Sequence, residues 1–366
     1  MLLRLFGAAA LAVALTATPA LAQRSARAAA QAQVGWAAIR DGHNQQAAEA
    51  FASAIAAEPR DPSLYLGAGL AAYLMGHVTE AQQSLEHALD LAPRLTAASM
   101  LLGDILYRNN DLAGAARVYE AALRYAPDDK TLADRLDKAR HESEVQSNFF
   151  QSQGAHFTVL FEGPSDEELS RKALDVLEAA YYRVGTELLT FPDRNIPVVL
   201  YTEQQFKDIT RSPDWAAAAY DGRIRVPMRG ALTQPEELER VLTHEFTHAL
   251  VQTIAPRGVP TWLNEGLAVT FEPGGGPWAQ EQLTSSSLRL PMQRLAAGFD
   301  RLSGAQARMA YAQSASAVRA MLDLGGAAAL VGMLQDVGGG MPFETAFAQR
   351  MSMSYAEFLA SLDPAH

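Results

Sequence analysis

The chain has 366 residues, of which 49% are hydrophobic and 19% are charged, so it is long enough for two domains with cores of their own. Its formal net charge of −11 argues against binding to nucleic acid or anionic lipid. It contains no cysteine, which excludes disulfides and thiolate metal ligands. The composition therefore indicates a folded, acidic protein without cross-links.

Residues 1–22 combine an early Arg4, an apolar run and the small residues Ala20–Ala22 ahead of Gln23. This order is typical of a secretory signal peptide, and its apolar run is short for a membrane span. We predict export to the periplasm or beyond, with no stable membrane insertion after cleavage. Loss of Arg4 would change the formal charge from −11 to −12. Residues 23–29 are predicted to be a linker.

An internal repeat with a period of 34 residues follows from about residue 30. Residues of one kind recur in step in three units: Gly35, Gly69 and Gly103; Ala47, Ala81 and Ala115; Phe51, Leu85 and Tyr119; Ala54, Ala88 and Ala122; Pro59, Pro93 and Pro127. The pattern resembles tetratricopeptide (TPR) repeats, which implies an α-solenoid of helix pairs whose groove binds a partner protein. With a polar capping helix over residues 129–146, the array spans residues 30–146. The alternative is a plain helical bundle.

The helical pattern breaks at residues 147–154, and a second domain is predicted over residues 147–366. Residues 156–161 (HFTVLF) and 196–201 (IPVVLY) are typical of strands, and a helix between them begins at a capping box in residues 165–168 (SDEE). Residues 220–227 (YDGRIRVP) predict a short third strand, because Ile224 and Val226 alternate with two arginines.

Residues 242–249 (LTHEFTHA) lie within a predicted helix that begins at a capping box in residues 233–236 (TQPE). On a helix, His244 and His248 leave the same face one turn apart, close enough to bind one metal ion. Glu245 lies beside that face, where its carboxylate can reach a metal-bound water without being a ligand. The spacing predicts a metal site with a base next to it.

Glu265 is the candidate third ligand. It lies in residues 261–271 (TWLNEGLAVTF), where a lone carboxylate in apolar surroundings needs an ion or a partner, and Gly266 beside it leaves room for close approach of this helix and the helix of the two histidines. Two histidines and one glutamate with a fourth position open for water form the pattern of a catalytic zinc site, with one Zn²⁺ per chain.

Further along, residues 272–278 (EPGGGPW) are predicted to form an irregular loop. From about residue 306 the chain is predicted to be helical, with breaks at Gly325-Gly326, at residues 338–340 and before Ser354, where SYAE makes another capping box.

The sequences HEFTH and WLNEGLA resemble those of the gluzincin group of zinc metallopeptidases, and the chain from about residue 149 onward is similar to peptidase MA-like domains. The resemblance implies a mainly α protein with an α+β, zincin-like second domain that has a small sheet and a helical C-terminal part. It implies that His244, His248 and Glu265 bind zinc and that Glu245 is the general base. Tyr311, in AYAQS, is the candidate donor to the developing oxyanion; the alternative is that it only packs in the core.

Strands at the edge of zincin-like sheets pair with the substrate backbone, which makes residues 220–227 a candidate peptide-binding strand; the alternative is an edge strand protected in solvent by its arginines. No stretch like the GAMEN sequence of the aminopeptidase branch precedes the helix, so an endopeptidase acting on peptides or proteins is expected. Two other functions stay open. The chain can be a catalytically inactive TPR scaffold or docking protein of the cell envelope, or a hydrolase of bonds other than peptide bonds.

Overall fold

The computed structural model describes residues 7–163, 166–202, 204–206, 219–220, 222–227, 235–296, 298–299 and 302–362, with side chains from residue 23 onward. Residues 1–6 of the predicted signal peptide, and the side chains of its remainder, lie outside that description. The contacts divide the chain into two compact units, namely Met1–Ile105 with Arg117–Ala133, and Leu106–Ala116 with Asp134–His366. The predicted boundary after residue 146 stays a prediction, and most of the predicted capping helix belongs to the second unit.

Helices follow one another through the N-terminal part of the chain: α1 (Gly7–Asp41), α2 (Asn44–Ala57), α3 (Pro62–Leu74), α4 (Val78–Leu91), α5 (Thr96–Arg108), α6 (Leu112–Leu123) and α7 (Lys130–Gln146). The predicted helix pairs are confirmed. Pro59, Pro93 and Pro127 lie just beyond the ends of α2, α4 and α6, as expected for a residue that cannot continue a helix.

The 34-residue period arises from how paired helices pack. In each repeat a glycine of the first helix faces a large side chain of the second: Gly35 faces Phe51, Gly69 faces Leu85 and Gly103 faces Tyr119. A Cβ atom at Gly103 would lie 2.3 Å from the Tyr119 ring. Only a glycine leaves room for these buried side chains, so the two sets of positions recur together.

The second unit contains a sheet of the strands β1 (Phe150–Gln153), β2 (Phe157–Phe161), β3 (Ile196–Tyr201), β4 (Ala219–Tyr220) and β5 (Ile224–Pro227). Their order is β1-β2-β3-β5-β4, with β2, β3 and β5 parallel and the two outer strands antiparallel to their neighbours. The predicted strands at residues 156–161 and 196–201 are confirmed. Strand β1 was not predicted, because its sequence FQSQ lacks a strong apolar alternation.

The predicted peptide-binding edge strand is partly wrong. Strand β5 lies inside the sheet, between β3 and β4, and β4 is the outer strand in the described part. Arg223 and Arg225 are buried, with exposed fractions of 0% and 1%, so they do not protect a solvated edge. Both arginines can be buried because each forms an ion pair on one face of the sheet.

Alternate residues of the sheet face different layers. Val198 and Leu200 of β3 face a core that includes helices α8 (Glu167–Glu187) and α9 (Pro235–Ile254). Val199 and Tyr201 face the other way and pack with residues around the end of α7. The capping boxes predicted at residues 165–168 and 233–236 include residues outside the described ranges.

The rest of the unit is helical: α10 (Thr261–Phe271), α11 (Gly275–Ser285), α12 (Met292–Leu295), α13 (Gly304–Gly338), α14 (Phe343–Met351) and α15 (Tyr355–Leu362). The predicted breaks are confirmed, since Gly326 has non-helical backbone angles (φ 71°, ψ 175°) and α13 ends at Gly338. The capping box at Ser354 is also confirmed by two hydrogen bonds with Glu357, of 2.8 and 3.2 Å. The predicted α+β fold with a helical C-terminal part is therefore present.

The predicted loop over residues 272–278 is wrong beyond its first three residues. Helix α11 begins at Gly275 after a left-handed Gly274 (φ 74°). Pro277 lies in the first turn, where its missing N–H is not needed. Gly275 packs so closely on α10 that a Cβ atom would lie 1.8 Å from the carbonyl oxygen of Val269. The glycines thus allow a tight turn between two helices.

Helix α13 packs directly against α10. A Cβ atom at Gly266 would lie 2.4 Å from the carbonyl oxygen of Ser314, so the close approach at this glycine is with α13 and not, as predicted, with the helix of the two histidines. By length and apolar composition α13 would also suit a membrane span, with a window of mean hydropathy 1.5 that is 44% buried inside the protein. Its buried residues, among them Val318 and Met321, belong to the core of the unit.

Candidate metal centre

Helix α9 holds the two histidines on its side facing a cavity. Leu242 and Phe246 are fully buried in the core, which fixes the helix about its axis and turns His244 and His248 the other way. The two imidazole rings are one turn apart, with centroids separated by 4.9 Å. This part of the motif folds as the sequence predicts.

Helix α10 brings Glu265 to the same point. Its Oε2 lies 3.5 Å from His244 Nε2 and 3.4 Å from His248 Nε2. Ligands on a tetrahedral zinc at about 2.0–2.1 Å are separated by roughly 3.3–3.4 Å, so the two distances fit such an ion. The three side chains are only 12–18% exposed, which leaves one open side for water or substrate. The donor set fits zinc.

Glu245 lies beside this set with a free carboxylate oxygen. Its side chain is buried, yet its Oε2 forms no hydrogen bond with any residue that the structure describes. The ligand atoms of His244, Glu245 and His248 lie within 4.8 Å of one another. Burial raises the pKa of the Glu245 carboxyl, which is the property of a group that accepts and returns a proton.

A second carboxylate, Glu272, holds His244 from behind. His244 Nδ1 lies 2.9 Å from Glu272 Oε2, so the imidazole can donate a hydrogen bond and turn its Nε2 toward Glu265. Arg240 donates from Nη1 to the same Oε2 over 3.2 Å and also pairs with Glu237. Glu272 therefore orients a ligand and is itself held in place.

The electrostatics of the site favour a cation. Burial by itself would lower the pKa of His244, but hydrogen bonds to Glu265 and Glu272 outweigh it and raise the pKa to about 10. For Glu265, burial would raise the pKa, yet the two histidines hold it well below its usual range. Both shifts mean that the carboxylates stabilise positive charge at this point.

Two cavities of the second unit meet at His244. One, of about 380 Å³, includes Tyr220 and Asn264 in its lining. The other, of about 640 Å³, has an apolar wall that includes Val269 and Trp278. His244, Glu245 and Tyr311 line both.

Tyr311 of α13 packs against His244, with ring centroids 6.2 Å apart. The structure thus brings together His244, Glu245, His248, Glu265 and Tyr311; their chemical roles stay predictions.

Glu272 and Arg240 were not predicted from the sequence as residues of the site. One signal for Glu272 was available, because it lies two turns beyond Glu265 and so shares its helical face. Asn264 lines the smaller cavity but does not orient His248, because His248 Nδ1 forms no hydrogen bond with any of the described residues.

Two family models match parts of the chain. The family described as Peptidase MA superfamily matches residues 195–357, and the tetratricopeptide repeat family matches residues 35–81 and 66–130. Among solved structures, the first TPR of Spaghetti (RPAP3), bound to an HSP90 peptide, is similar over 33% of this chain and 98% of that chain, with 20% identity and a TM-score of 0.32. No curated protein matches the chain.

Proposed function

Because the chain carries tetratricopeptide repeats followed by a Peptidase MA superfamily domain, we propose that it is an exported, zinc-dependent endopeptidase. One observation carries the proposal. The Nε2 atoms of His244 and His248 and one oxygen of Glu265 converge at ligand-to-ligand distances of 3.4–3.5 Å, beside the unpartnered carboxylate oxygen of Glu245.

Zinc bound by these three side chains would supply a Lewis acid and an acidified water with a pKa of ~7. Glu245 would be the base that accepts a proton from the water attacking a peptide carbonyl carbon. The same carboxylic acid then donates the proton to the departing amine, so a buried group with a raised pKa suits both steps. Glu272 keeps His244 in the tautomer that leaves Nε2 free to bind the metal.

Tyr311 is the proposed donor to the oxyanion that develops on the carbonyl oxygen. The contact of its ring with His244 and its presence in the wall of both cavities support this role. A phenol O–H at this position would stabilise the transition state more than the uncharged ground state.

Two cavities that share His244 and Glu245 suit a substrate that continues in both directions, as an endopeptidase requires. The larger one includes Val269, Trp278 and Ala307, and its Arg240 is already paired with Glu237 and Glu272. We propose that this side accepts a bulky apolar side chain of a peptide or protein.

The repeats are proposed to bind the protein substrate or a partner protein, as helix-pair arrays do along their grooves. Export rests on the signal-peptide pattern of residues 1–22, and after cleavage we propose a periplasmic or secreted protein without membrane insertion.

A panel of quenched fluorescent peptides with either bulky apolar or charged residues at each position tests the proposal on the zinc-loaded protein. Cleavage inside a peptide that disappears in Glu245→Gln is the expected result. A protein that holds zinc, cleaves no peptide and binds a partner would instead be an inactive TPR scaffold. A panel that also includes esters and amides would reveal hydrolysis of other bonds.

A further inference from the structure

A cluster of buried charged and polar side chains lies on the face of the sheet away from the metal helix. Glu142 of α7 and the arginines Arg223 and Arg225 are 0–1% exposed. All belong to the second unit, but Glu142 precedes the first predicted strand and residues 195–357, which match the peptidase family. The catalytic mechanism proposed above does not use them.

Glu142 binds both arginines. Arg225 reaches it with both ends of its guanidinium group, and its Nη2 donates to Oε2 over 3.1 Å. Arg223 Nη1 lies 3.0 Å from Glu142 Oε1. The hydroxyl groups of Tyr107 and Tyr201 also donate to this carboxylate, the latter over 2.6 Å. A planar, two-pronged contact of this kind fixes direction as well as distance.

The held arginines belong to the β4–β5 hairpin. Ala219 of β4 pairs with Arg225, and Tyr220 pairs with Ile224. Since neighbouring residues of a strand face opposite sides of a sheet, anchoring Arg225 on one side sets the position of Ile224 and Tyr220 on the other. Tyr220 lines the cavity that contains His244, Glu245 and His248.

The turn of this hairpin is fixed as well. Gly222 has a φ of 104°, which an L side chain rarely adopts, and a Cβ atom there would lie 3.0 Å from Cβ of Arg108. Next to it, Arg223 Nη1 donates to Asn110 Oδ1 over 2.6 Å. Residues ahead of the peptidase-family match therefore hold the hairpin at its turn and along β5.

We propose that Glu142 is a positioning residue of the active site, which through Arg225 and Arg223 holds the β4–β5 hairpin so that β4, the outer strand of the described sheet, can pair with the backbone of a bound peptide. This inference rests on the proposed peptidase function. Glu142 touches neither metal nor substrate, so its loss affects ligands that extend along β4 and spares ligands that reach only the metal.

Two hydroxamates separate these cases in the zinc-loaded full chain. Acetohydroxamate reaches only the metal, whereas N-acetyl-trileucine hydroxamate adds a peptide backbone. Calorimetry on Glu142→Gln is expected to show at least about tenfold weaker binding of the tripeptide compound and less than about twofold change for acetohydroxamate. Zinc content is expected to equal that of wild type, and amide exchange in residues 219–227 to be faster. Glu178→Gln, which alters a carboxylate on α8 that contacts His156, is the matched control.

Tyr107→Phe is the second variant if Glu142→Gln does not fold. It removes one hydroxyl contact with Glu142 and Arg225 but keeps the ring over Arg223, and about threefold weaker binding of the tripeptide compound alone is expected. Unchanged tripeptide binding in the folded variant, or equal losses for both hydroxamates, would overturn the positioning role. A zinc-loaded wild type that binds neither compound would contradict the peptidase proposal itself. In that case, amide exchange in residues 219–227 of Glu142→Gln would still show whether Glu142 holds the hairpin.

Discussion

His244 and Glu272 form a direct contact, with Nδ1 and Oε2 separated by 2.9 Å. The pair joins the first histidine of α9 to the residue that directly follows α10, and Arg240 binds the same carboxylate oxygen. The imidazole is thereby held with its Nε2 toward Glu265 and His248. A metal site built on two helices needs such a contact, because it fixes a ring that could otherwise rotate.

Replacing Glu272 weakens the metal site without removing a ligand. In Glu272→Ala we expect zinc affinity to fall by about 10–100-fold, the usual effect of losing a carboxylate that orients a metal-binding histidine. Competition with a fluorescent zinc chelator measures it. Glu281→Ala, an exposed carboxylate on neighbouring α11, is the control. Equal affinity in both variants would show that the contact does not orient the ligand.

Replacing Glu245 separates metal binding from catalysis. In Glu245→Gln the amide cannot accept the proton of a metal-bound water, so we expect kcat to fall by about 10²–10⁴-fold with near-equimolar zinc retained. Peptide cleavage and elemental analysis on the same sample give both values. Substantial peptidase activity in this variant would refute the assignment of Glu245 as the base.

Removing the Tyr311 hydroxyl tests its proposed contact with the oxyanion. In Tyr311→Phe we expect kcat to fall by about 10²-fold or more while KM and zinc content stay near the wild-type values, because the contact forms in the transition state. Tyr182→Phe, an exposed tyrosine on α8, is the control. An unchanged kcat would leave Tyr311 as a packing residue.

Because of the ion pairs of Glu142, we expect the free energy of unfolding to depend on pH. Burial would raise the pKa of its carboxyl, but Arg223 and Arg225 outweigh this and lower it from 4.5 to about 2. Tyr107 and Tyr201, the tyrosines in contact with it, have raised pKa values and stay protonated. The stabilisation is therefore complete above pH ~4.5 and lost as the pH falls through about 2.

Denaturant unfolding of wild type and Glu142→Gln measures this effect. The difference in the free energy of unfolding is expected to shrink by about 3 kcal/mol between pH 5 and pH 2. A difference that stays constant over this range would show that Glu142 does not owe its stabilising contacts to its charge.

The local features of the site could be predicted from the sequence. The HEFTH spacing fixes His244 and His248 on one helical face, and a single carboxylate among apolar residues marks Glu265. The repeats are equally readable, because a glycine and a large side chain recur with one period. Each of these signals lies within one helix or one helix pair.

Features that depend on distant parts of the chain were not predicted. Arg223 and Arg225 alternate with apolar residues and so looked exposed, but their partner Glu142 lies on a helix far away in sequence. Gly275 was assigned to a loop, because only its contact with Val269 shows why a glycine begins that helix. Buried polar partners and close helix packing are tertiary features, and no local pattern encodes them.

Zinc content of the purified chain, compared between wild type and Glu265→Ala, is the most direct test of the proposed metal centre. Elemental analysis is expected to give about one zinc per wild-type chain and almost none in the variant, because two histidines alone bind zinc weakly. Wild-type protein that stays free of zinc after dialysis against zinc-containing buffer would contradict the metal centre and with it the proposed peptidase.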